Sequence, residues 1–541
     1  MGADPNARVR ELLDAYDGLD ACAAELLCDR HPADAVAFTV IDSDLSAIDL
    51  TYGELRARSE RFAAALAGLG VGPGDQVATL MAKSVDLVVV LLGIWRRGAV
   101  HVPLFTAFAP PAIAFRLRAS GASVVIADPD QVGKLAPGGD MPADPPWRTV
   151  VTGDTDVPGA LRMGELPAAG AGTEPPAVVG GDGLLVQLFT SGTTGTPKGV
   201  PIPVRALASF HAYQEFALDV RPDDVFWNAA DPGWAYGLYY AILGPLVSGT
   251  RSLLLHAGFS PALTWQVLER FGVTNFAAAP TVYRALRAGE PGNPVRLRRA
   301  SSAGEPLTPE VVAWSAEHLG VAVRDHYGQT EHGMVICNAW HDDLDTAAPA
   351  GSMGRPLPGW ACAVLADDAD TEAPDGELGR IAIDAERSAL LWFLGYLDAP
   401  EQTAQRFTAD GRWYLTGDAG SRDADGYFHF SARDDDVIIM SGYRIGPFDV
   451  ESVLVLHDEV AEAAVVGLPD ELRGEVLEAF VVLRGDTAGT PELEAQLQTL
   501  VKQKFAAHAY PRRVHFVDTL PKTPSGKVQR FLLRQQGRAA G

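Results

Sequence analysis

The segment from residue 184 to residue 199 combines residue types that could bind a polyphosphate. An apolar run, residues 184–189, is expected to form a buried strand, and it leads into a loop of glycine, serine and threonine. Glycine exposes backbone N–H groups, hydroxyls donate hydrogen bonds and a lysine supplies positive charge, which together suit phosphate oxygens. Pro197 precedes the lysine where a Walker A loop requires glycine, so this loop is of another kind. The candidate phosphate contacts are Thr190, Ser191, Gly192, Thr193, Thr194, Gly195, Thr196 and Lys198.

Residues 190–199 resemble the signature loop of the acyl-adenylate-forming superfamily, which includes acyl-CoA synthetases, aryl-CoA ligases, luciferases and the adenylation domains of peptide synthetases. Further motifs of that superfamily follow in the same order, so the resemblance extends from about residue 50 to about residue 530. It implies an ATP-dependent acyl-CoA synthetase, which joins a carboxylic acid to CoA through an acyl-adenylate. It also implies that the protein binds ATP, Mg²⁺ and coenzyme A.

Two of these motifs concern the adenine and the metal. Residues 304–306 resemble the strip that borders the adenine, and residues 325–331 resemble the Y-G-x-T-E motif, in which an aromatic ring stacks near the base. The resemblance assigns Thr330 to the α-phosphate and Glu331 to Mg²⁺, and a hard carboxylate suits a hard cation. The residues implied for nucleotide binding here are Gly304, Glu305, Pro306, Asp325, His326, Tyr327, Gly328, Gln329 and Thr330.

Two further motifs concern the ribose and a hinge. Residues 414–418 resemble the Y-x-T-G-D motif, and the two oxygens of a carboxylate allow Asp418 to accept hydrogen bonds from both ribose hydroxyls. Residues 433–436 resemble the hinge between the two domains of the family. There Arg433 would contact the nucleotide, and Asp435 would be the pivot.

The C-terminal region carries two more motifs of the family. Ser441, Gly442 and Tyr443 resemble the loop that lines the pantetheine channel, and Arg444 beside them would reach a phosphate in one of two states. Lys527 stands in a segment that resembles the catalytic lysine motif, where a cation offsets the charge that develops as pyrophosphate leaves. Lys527 and the channel loop cannot serve one site simultaneously, so the resemblance implies rotation of the C-terminal domain.

The identity of the acid is less closely constrained. Residues 100–122 and 231–237 look most like the acetyl- and medium-chain acyl-CoA synthetases. Acetyl-specific members have a tryptophan at the position of Gly328, so glycine here predicts space for an acid larger than acetate. Trp234, with Gly237, is expected to form an apolar wall of the acyl pocket. Both short- to medium-chain aliphatic acids and aryl acids remain open.

Two rival functions remain. The protein could be a stand-alone adenylating enzyme that loads an acyl carrier protein, because the carrier presents the same phosphopantetheine arm as CoA. It could instead be a catalytically silent protein that binds a nucleotide or an acyl ligand, against which Glu331, Arg433 and Lys527 argue. Either a monomer or a homodimer is compatible with the sequence.

The elements that must position these residues follow an α/β pattern in the first part of the chain. Helical spacing predicts helices over residues 54–69 and 84–95, and short apolar runs predict strands over residues 76–81 and 123–127. Residues 130–182, which are rich in Pro, Gly, Ala and Asp, are interpreted as surface connections.

The α/β pattern resumes at Leu184 and runs to about residue 360, and residues 361–430 read as antiparallel strands with turns. A small α+β unit follows. Its predicted strands are residues 437–440 and 463–466, and its predicted helices are residues 448–456 and 491–508. The fold that the resemblance implies is an α/β N-terminal domain, residues 1–433, of two α/β sheet subdomains plus a β-rich one. A mobile α+β domain, residues 434–541, completes it.

Bulk properties exclude several classes of function. The 541 residues carry a formal net charge of −25, which disfavours nucleic acid and anionic membrane surfaces as partners. The four cysteines form no C-x-x-C pair, which argues against a zinc or redox site and fits a reducing compartment. The sequence shows neither a signal peptide nor an apolar run long enough to span a bilayer, so we expect a cytoplasmic protein.

Overall fold

A computed structural model describes residues 4–166, 175–190, 197–290, 292–293, 295–344, 348–440, 443–470, 473–485, 487–523 and 527–540. The strands are, in chain order, β1 Val36–Asp42, β2 Ala47–Thr51, β3 Gln76–Leu80, β4 Val100–Pro103, β5 Val124–Ala127, β6 Arg148–Val151, β7 Leu161–Arg162, β8 Leu184–Thr190, β9 Lys198–Pro203, β10 Phe226–Asn228, β11 Ser252–His256, β12 Asn275–Ala278, β13 Arg299–Ala303, β14 Arg324–Gln329, β15 Gly333–Cys337, β16 Ser352–Pro356, β17 Cys362–Leu365, β18 Gly379–Asp384, β19 Trp413–Arg422, β20 Phe428–Arg433, β21 Ile438–Met440, β22 Tyr443–Ile445, β23 Val460–Asp470, β24 Gly474–Leu483 and β25 Arg513–Phe516.

The helices surround and connect these strands. The α-helices are, in chain order, α1 Pro5–Tyr16, α2 Tyr52–Gly68, α3 Val85–Arg96, α4 Pro110–Ser120, α5 Ala206–Ala212, α6 Ala235–Gly237, α7 Gly244–Ser248, α8 Pro261–Arg270, α9 Pro280–Ala288, α10 Pro309–His318, α11 Pro400–Ala404, α12 Pro447–Leu454, α13 Pro491–Lys504 and α14 Arg530–Ala540. Shorter π-helical segments are Glu25–Asp29, Tyr213–Ala217 and Leu238–Leu243, and 3₁₀ turns are Val132–Leu135, Met163–Glu165 and Asp434–Asp436. Among the described helices, none combines the length and the apolar composition that a bilayer crossing requires.

The first sheet has seven strands in the order β7-β6-β5-β3-β4-β8-β9, all parallel except the final β8–β9 pair. Helix α2 begins at Tyr52 because Thr51 and Glu54 form a capping box, with hydrogen bonds of 3.2 and 3.0 Å. Helix α3 is apolar on nearly all sides and fully embedded in the main hydrophobic core, as its composition predicts. The helices and strands predicted in the first 130 residues are therefore confirmed.

The interpretation of residues 130–182 as surface connections is wrong in one part. Strands β6 and β7 add two parallel strands to the edge of the seven-stranded sheet within this segment. Strand β6 has only four residues, of which Val150 and Val151 are fully buried. So short a run shows no periodicity, and the surrounding Pro, Gly and Asp conceal it.

The second sheet has thirteen strands and joins the second α/β region to the β-rich region. Parallel strands β1, β11, β10, β12, β13 and β14 form one half, with β2 antiparallel to β1 at its edge. Strands β15 and β16 continue the sheet in antiparallel fashion. Strand β16 then pairs with β20, which begins the antiparallel strands β20, β19, β18 and β17. The predicted antiparallel region is thus continuous with the α/β sheet.

The chain leaves the large sheet at the end of β20 and enters a separate five-stranded sheet at β21. Strands β22, β21, β24 and β23 are antiparallel, and β25 is parallel to β24. Strand β23, Val460–Asp470, is longer than predicted, and α13, Pro491–Lys504, ends four residues earlier. The division into mobile domains at residues 433 and 434 remains a prediction.

Candidate functional site

The strands on either side of the predicted phosphate loop, β8 and β9, form an antiparallel pair. Thr190 and Lys198 are direct partners in this antiparallel pair, and the Thr190 hydroxyl lies 3.5 Å from the Lys198 carbonyl oxygen. The two ends of the loop are therefore held together at the edge of the seven-stranded sheet. Residues Ser191, Gly192, Thr193, Thr194, Gly195 and Thr196 lie outside the described residues.

Lys198 lies close to an acidic residue and to a second cation. Its Nζ is 4.8 Å from the centroid of the Tyr396 ring, a cation–π distance. Burial and the charge of Arg406 lower the pKa of Lys198, while Glu331 opposes this effect. A lysine in such surroundings gains from a phosphate, which would supply the missing negative charge.

Glu331 is held by a hydrogen-bonded pair that sequence reasoning did not find. The Tyr396 hydroxyl donates to Oε1 of Glu331 at 2.7 Å, and Nε of Arg406 donates to the same hydroxyl at 2.9 Å. Glu331 is 6% exposed, so this orientation is fixed in a largely desolvated place. Tyr396 lies 65 positions away in the chain, and no local pattern links it to Glu331.

The surroundings of Glu331 fit Mg²⁺. The described residues contain no cluster of three His, Cys, Asp or Glu side chains that could hold a metal by themselves. Mg²⁺, however, usually takes one or two protein carboxylates together with substrate phosphates and water. Tyr396 occupies only Oε1 of Glu331, so the second carboxylate oxygen can serve a cation. Thr330 is fixed next to it, because the hydroxyl of buried Tyr239 donates to its carbonyl oxygen at 2.9 Å.

Asp418 contacts three other residues that are predicted to bind the nucleotide. Its Oδ2 accepts hydrogen bonds of 2.6 Å from the Tyr327 hydroxyl and of 2.6 Å from Nε2 of Gln329. Nε of Arg433 lies 3.3 Å from Oδ1, and Asp418 and Arg433 are direct partners in the β19–β20 pair. The structure thus brings together four residues that the sequence placed in three separate motifs.

The predicted adenine strip follows β13 and lies beside Asp325. Gly304 has φ +100°, and a Cβ built on it meets no atom within 4 Å, so one face of the strip is open. The backbone N–H of Leu307, just after Pro306, donates to Oδ2 of Asp325 at 3.3 Å. Burial raises the pKa of Asp325 to about 8. Glu305 forms an ion pair of 2.7 Å with Arg284, which gives it a structural role.

An aromatic cluster stands where the acyl wall is predicted. The ring centroid of Trp234 lies 5.1 Å from that of Phe105 and 5.4 Å from that of Phe108. Trp234 is only partly buried, and its indole Nε1 has no hydrogen-bond partner among the described residues. The partly buried rings of Trp234 and Phe105 can therefore offer an apolar surface to a ligand, and the indole N–H can offer a hydrogen-bond donor.

Close approaches of the backbone explain the two glycines that are predicted for the acyl pocket. A Cβ at Gly328 would lie 2.1 Å from the carbonyl oxygen of Gly333, at an irregularity of the β14–β15 pair. A Cβ at Gly237 would lie 2.1 Å from the carbonyl oxygen of Asp231. The prediction that Gly328 leaves an open space is wrong, because its missing side chain would point into backbone rather than into a cavity.

The C-terminal candidates do not join this cluster in the present arrangement. Lys527 is exposed, its backbone exchanges hydrogen bonds with Thr523, and it forms no ion pair with any described residue. The Tyr443 ring stacks on His508 at 4.1 Å. Ser441 and Gly442 lie outside the described residues, as do the side chains of Asp435, in the 3₁₀ turn, and Arg444, in β22.

Contacts between β20 and α12 hold the C-terminal sheet in this arrangement. The Ser431 hydroxyl donates to a carboxylate oxygen of Asp449, and the rings of Phe430 and Phe448 lie 6.1 Å apart. Burial raises the pKa of Asp449 to about 6.

Comparisons with known proteins agree on one family. Residues 25–397 match the AMP-binding enzyme family, and residues 449–527 match the AMP-binding enzyme C-terminal domain. The acetyl-coenzyme A synthetase of Bacillus subtilis (strain 168) is 35% identical over 497 residues, which cover 90% of this chain and 84% of that protein.

Solved structures agree in fold over nearly the whole chain. A Brucella canis acyl-CoA synthetase is 44% identical, with a TM-score of 0.76 over 99% of this chain and 97% of that one. The anthranilate CoA ligase AuaEII, in complex with anthranoyl-AMP, is 27% identical, with a TM-score of 0.85 over 97% of this chain and 98% of that one.

Proposed function

The chain belongs to the AMP-binding enzyme family, and from this premise we propose how its residues activate an acid larger than acetate. It is an ATP-dependent acyl-CoA ligase, an AMP-forming acid–thiol ligase. In the first step a carboxylate oxygen attacks the α-phosphorus of ATP, acyl-AMP forms and pyrophosphate leaves. In the second step the thiol of coenzyme A attacks the acyl carbonyl carbon and AMP leaves.

The observation that carries this proposal is the order of the groups from Asp418, through Tyr327 and Gln329 of β14, to Glu331 and Lys198. Asp418, with its donors Tyr327 and Gln329, suits a ribose. Thr330 follows Gln329 in the chain and is fixed by Tyr239, and Glu331 and Lys198 lie beyond it. Sugar, α-phosphate and the metal-bound phosphates of ATP occur in this same order.

Each group then has a task in adenylate formation. The Thr330 hydroxyl donates to an α-phosphate oxygen, and Lys198, with the loop before it, binds the phosphates that depart. Glu331, oriented by Tyr396, would hold Mg²⁺, which neutralises charge on the phosphate oxygens when it is bound. Arg406 stabilises the Tyr396 hydroxyl in its position against Glu331.

Lys527 must move to take part. A cation between the attacking carboxylate and the α-phosphate would reduce their repulsion, but Lys527 is exposed here and forms no ion pair with the described residues of this cluster. We propose that the C-terminal region rotates about Asp435, so that Lys527 serves the first step and the loop with Gly442 serves the second. The limited β20–α12 contact is compatible with such a rotation.

The size and nature of the acid follow from the aromatic wall. The partly buried rings of Trp234 and Phe105, supported by the buried ring of Phe108, suit an acyl group larger than acetyl. We propose free CoA rather than a carrier protein as the acceptor, because the relatives named above are CoA-linked enzymes. A cytoplasmic location is supported by four cysteines that are all unpaired.

Pyrophosphate release, measured with ATP and Mg²⁺ across acids from acetate through octanoate to benzoates, tests the proposal. We expect turnover that requires CoA and that is faster for acids larger than acetate. Slow release that is indifferent to CoA would favour a carrier protein as the acceptor. Silence with every acid would favour the catalytically silent protein instead.

A further inference from the structure

Three side chains form a buried hydrogen-bonded chain beside the proposed acyl site. The Tyr236 and Tyr213 hydroxyls are 3.1 Å apart, and the Tyr213 hydroxyl is 2.8 Å from Nδ1 of His326. At the far end, Nε2 of His326 is 3.3 Å from the carbonyl oxygen of Asn338. Tyr213 and His326 are buried, whereas Tyr236 is only partly buried. Of these three side chains, Tyr236 is therefore the one that a ligand could contact.

The donor and the acceptor of each hydrogen bond between these side chains follow from the buried end at the Asn338 carbonyl oxygen. A carbonyl oxygen only accepts, so Nε2 of His326 carries the proton and donates to Asn338. Burial lowers the pKa of His326 to about 3, so the ring is neutral and Nδ1 accepts. The single proton of Tyr213 is therefore committed to His326. Tyr236 must then donate its own single proton to Tyr213, and its oxygen is left with acceptor positions only.

The Tyr236 end of this hydrogen-bonded chain lies on the same helical run as a residue that contacts Thr330. Tyr239 donates to the carbonyl oxygen of Thr330, the residue proposed to bind the α-phosphate. Tyr236 precedes Tyr239 by one helical turn, roughly 5 Å along the axis. Both belong to the helical run of α6 and the π-helical segment Leu238–Leu243, and Tyr213 begins another π-helical segment. Such segments are frequent at functional sites.

We infer that the acid carries a hydrogen-bond donor, a hydroxyl or an amino group, in its acyl part, and that the Tyr236 oxygen accepts from this donor. The inference rests on the proposed function, because it concerns the acid that the same site would activate. If an acyl group presents an ether or carbonyl oxygen at this point, its lone pairs face those of the Tyr236 oxygen and no hydrogen bond forms. One that presents a methyl group leaves the Tyr236 oxygen without a partner. Sites that bind a polar group in this way discriminate strongly against analogues that lack it.

Matched acids test the inference in the wild-type enzyme. ATP–pyrophosphate exchange is measured with hydroxybenzoates and aminobenzoates against benzoate and the corresponding methyl and methoxy compounds. The aliphatic set is 3-hydroxybutyrate, butyrate and 3-oxobutyrate. In the better of the two series, the donor-bearing acid should have a kcat/KM about tenfold to a hundredfold above that of its methyl and methoxy or oxo analogues.

Two variants separate this role from a merely structural one, because each preference is a ratio within one protein. Tyr236→Phe removes the acceptor, so the preference should fall to near unity. Tyr213→Phe frees the proton of Tyr236, which can then donate as well as accept, so the preference over the methoxy or oxo acid should fall while the preference over the methyl acid remains. Tyr283→Phe is the control. It removes a buried hydroxyl that donates to the Ser301 carbonyl and has no part in the Tyr236–Tyr213–His326 hydrogen bonds, so the wild-type preference between acids should be kept.

The outcomes separate two kinds of failure. Exchange with equal kcat/KM for donor-bearing and donor-free acids overturns the inference alone. A preference that survives unchanged in Tyr236→Phe and in Tyr213→Phe overturns it as well. Absence of exchange with every acid overturns the proposed function and this inference with it.

Discussion

The hydroxyl of Tyr327 donates a hydrogen bond of 2.6 Å to Oδ2 of Asp418, the carboxylate that we assign to the ribose. Gln329 donates to the same oxygen at 2.6 Å, and Arg433 lies against Oδ1 at 3.3 Å. A carboxylate offers about four acceptor positions. These three neighbours leave roughly one acceptor position of Asp418 free, whereas a ribose brings two hydroxyls that could donate to it. One protein donor must therefore yield when ATP binds.

Replacement of Tyr327 by Phe should tighten the binding of ATP. Phe keeps an aromatic ring for the base and removes one of the two neutral donors that compete with the ribose for Asp418. A competing hydrogen bond of this kind contributes about 1 kcal/mol, so the Kd for ATP should fall about fivefold in calorimetric titrations. Weaker binding by Tyr327→Phe would mean that the hydroxyl assists the nucleotide.

A matched control uses Asp418→Ala with ATP and 2′-deoxy-ATP. The wild-type enzyme should bind ATP more tightly than its deoxy analogue, and Asp418→Ala should bind both equally weakly. If the variant keeps the wild-type discrimination, the ribose is held elsewhere.

Tyr396→Phe should raise the Mg²⁺ concentration that half-saturates the reaction. The hydroxyl that fixes Oε1 of Glu331 is lost, and Arg406 loses its acceptor there. We expect about a fivefold increase, together with a lower kcat, in pyrophosphate release measured against free Mg²⁺. Tyr414→Phe is the control, because the buried Tyr414 hydroxyl has no hydrogen-bond partner among the described residues. The same Mg²⁺ dependence in wild type and Tyr396→Phe would show that Tyr396 does not orient Glu331 for Mg²⁺.

Lys527→Ala should separate the two half-reactions. Formation of acyl-AMP needs the cation at the α-phosphate, so ATP–pyrophosphate exchange should be lost. Conversion of supplied acyl-AMP and CoA to acyl-CoA should persist, because that step uses the other domain position. Lys522→Ala serves as a control, since Lys522 lies in the same loop but pairs with Glu462 at 2.7 Å. Equal loss of both half-reactions in Lys527→Ala would contradict the rotation.

Asp325 should make the stability of the free protein fall with rising pH. Its pKa is about 8 in the folded protein, against an ordinary value of 3.8, because it is buried. Between these values the folded protein retains a proton that the unfolded chain has lost, so the free energy of unfolding decreases as the pH rises. Asp325→Asn cannot ionise and should lack this decrease.

Melting temperatures between pH 5 and pH 9 provide the measurement. The advantage of Asp325→Asn over the wild type should grow steadily up to about pH 8. Asp154→Asn, at a position whose side chain is 98% exposed, should follow the wild type throughout. A constant difference between Asp325→Asn and the wild type would show that Asp325 is already ionised.

Local features were predictable from the sequence where their causes are local. The helix predicted over residues 54–69 is observed as Tyr52–Gly68, because a capping box and apolar spacing define it within one segment. The motifs around Asp418 and Arg433 meet because the two residues are direct partners in the β19–β20 pair. Tyr327 also meets them, as the resemblance implies, although β15 and β16 separate its strand β14 from β20 in the sheet.

Contacts between distant segments were not predictable in the same way. The Tyr396–Glu331 hydrogen bond joins residues 65 positions apart, and neither residue type indicates the other. The role of Gly328 depends on which atoms face its missing Cβ, and these belong to Gly333 on the next strand. The chain from Tyr236 to His326 likewise arises only when a helix and a strand pack together.

The most direct test of the adenylate mechanism follows oxygen from the acid. An acid labelled with ¹⁸O in both carboxylate oxygens is converted to acyl-CoA with ATP and CoA, and the products are analysed by mass spectrometry. Attack of the carboxylate on the α-phosphorus places one labelled oxygen in AMP, and the other stays in the thioester. Unlabelled AMP, or label in pyrophosphate or phosphate, would contradict an acyl-adenylate at this site.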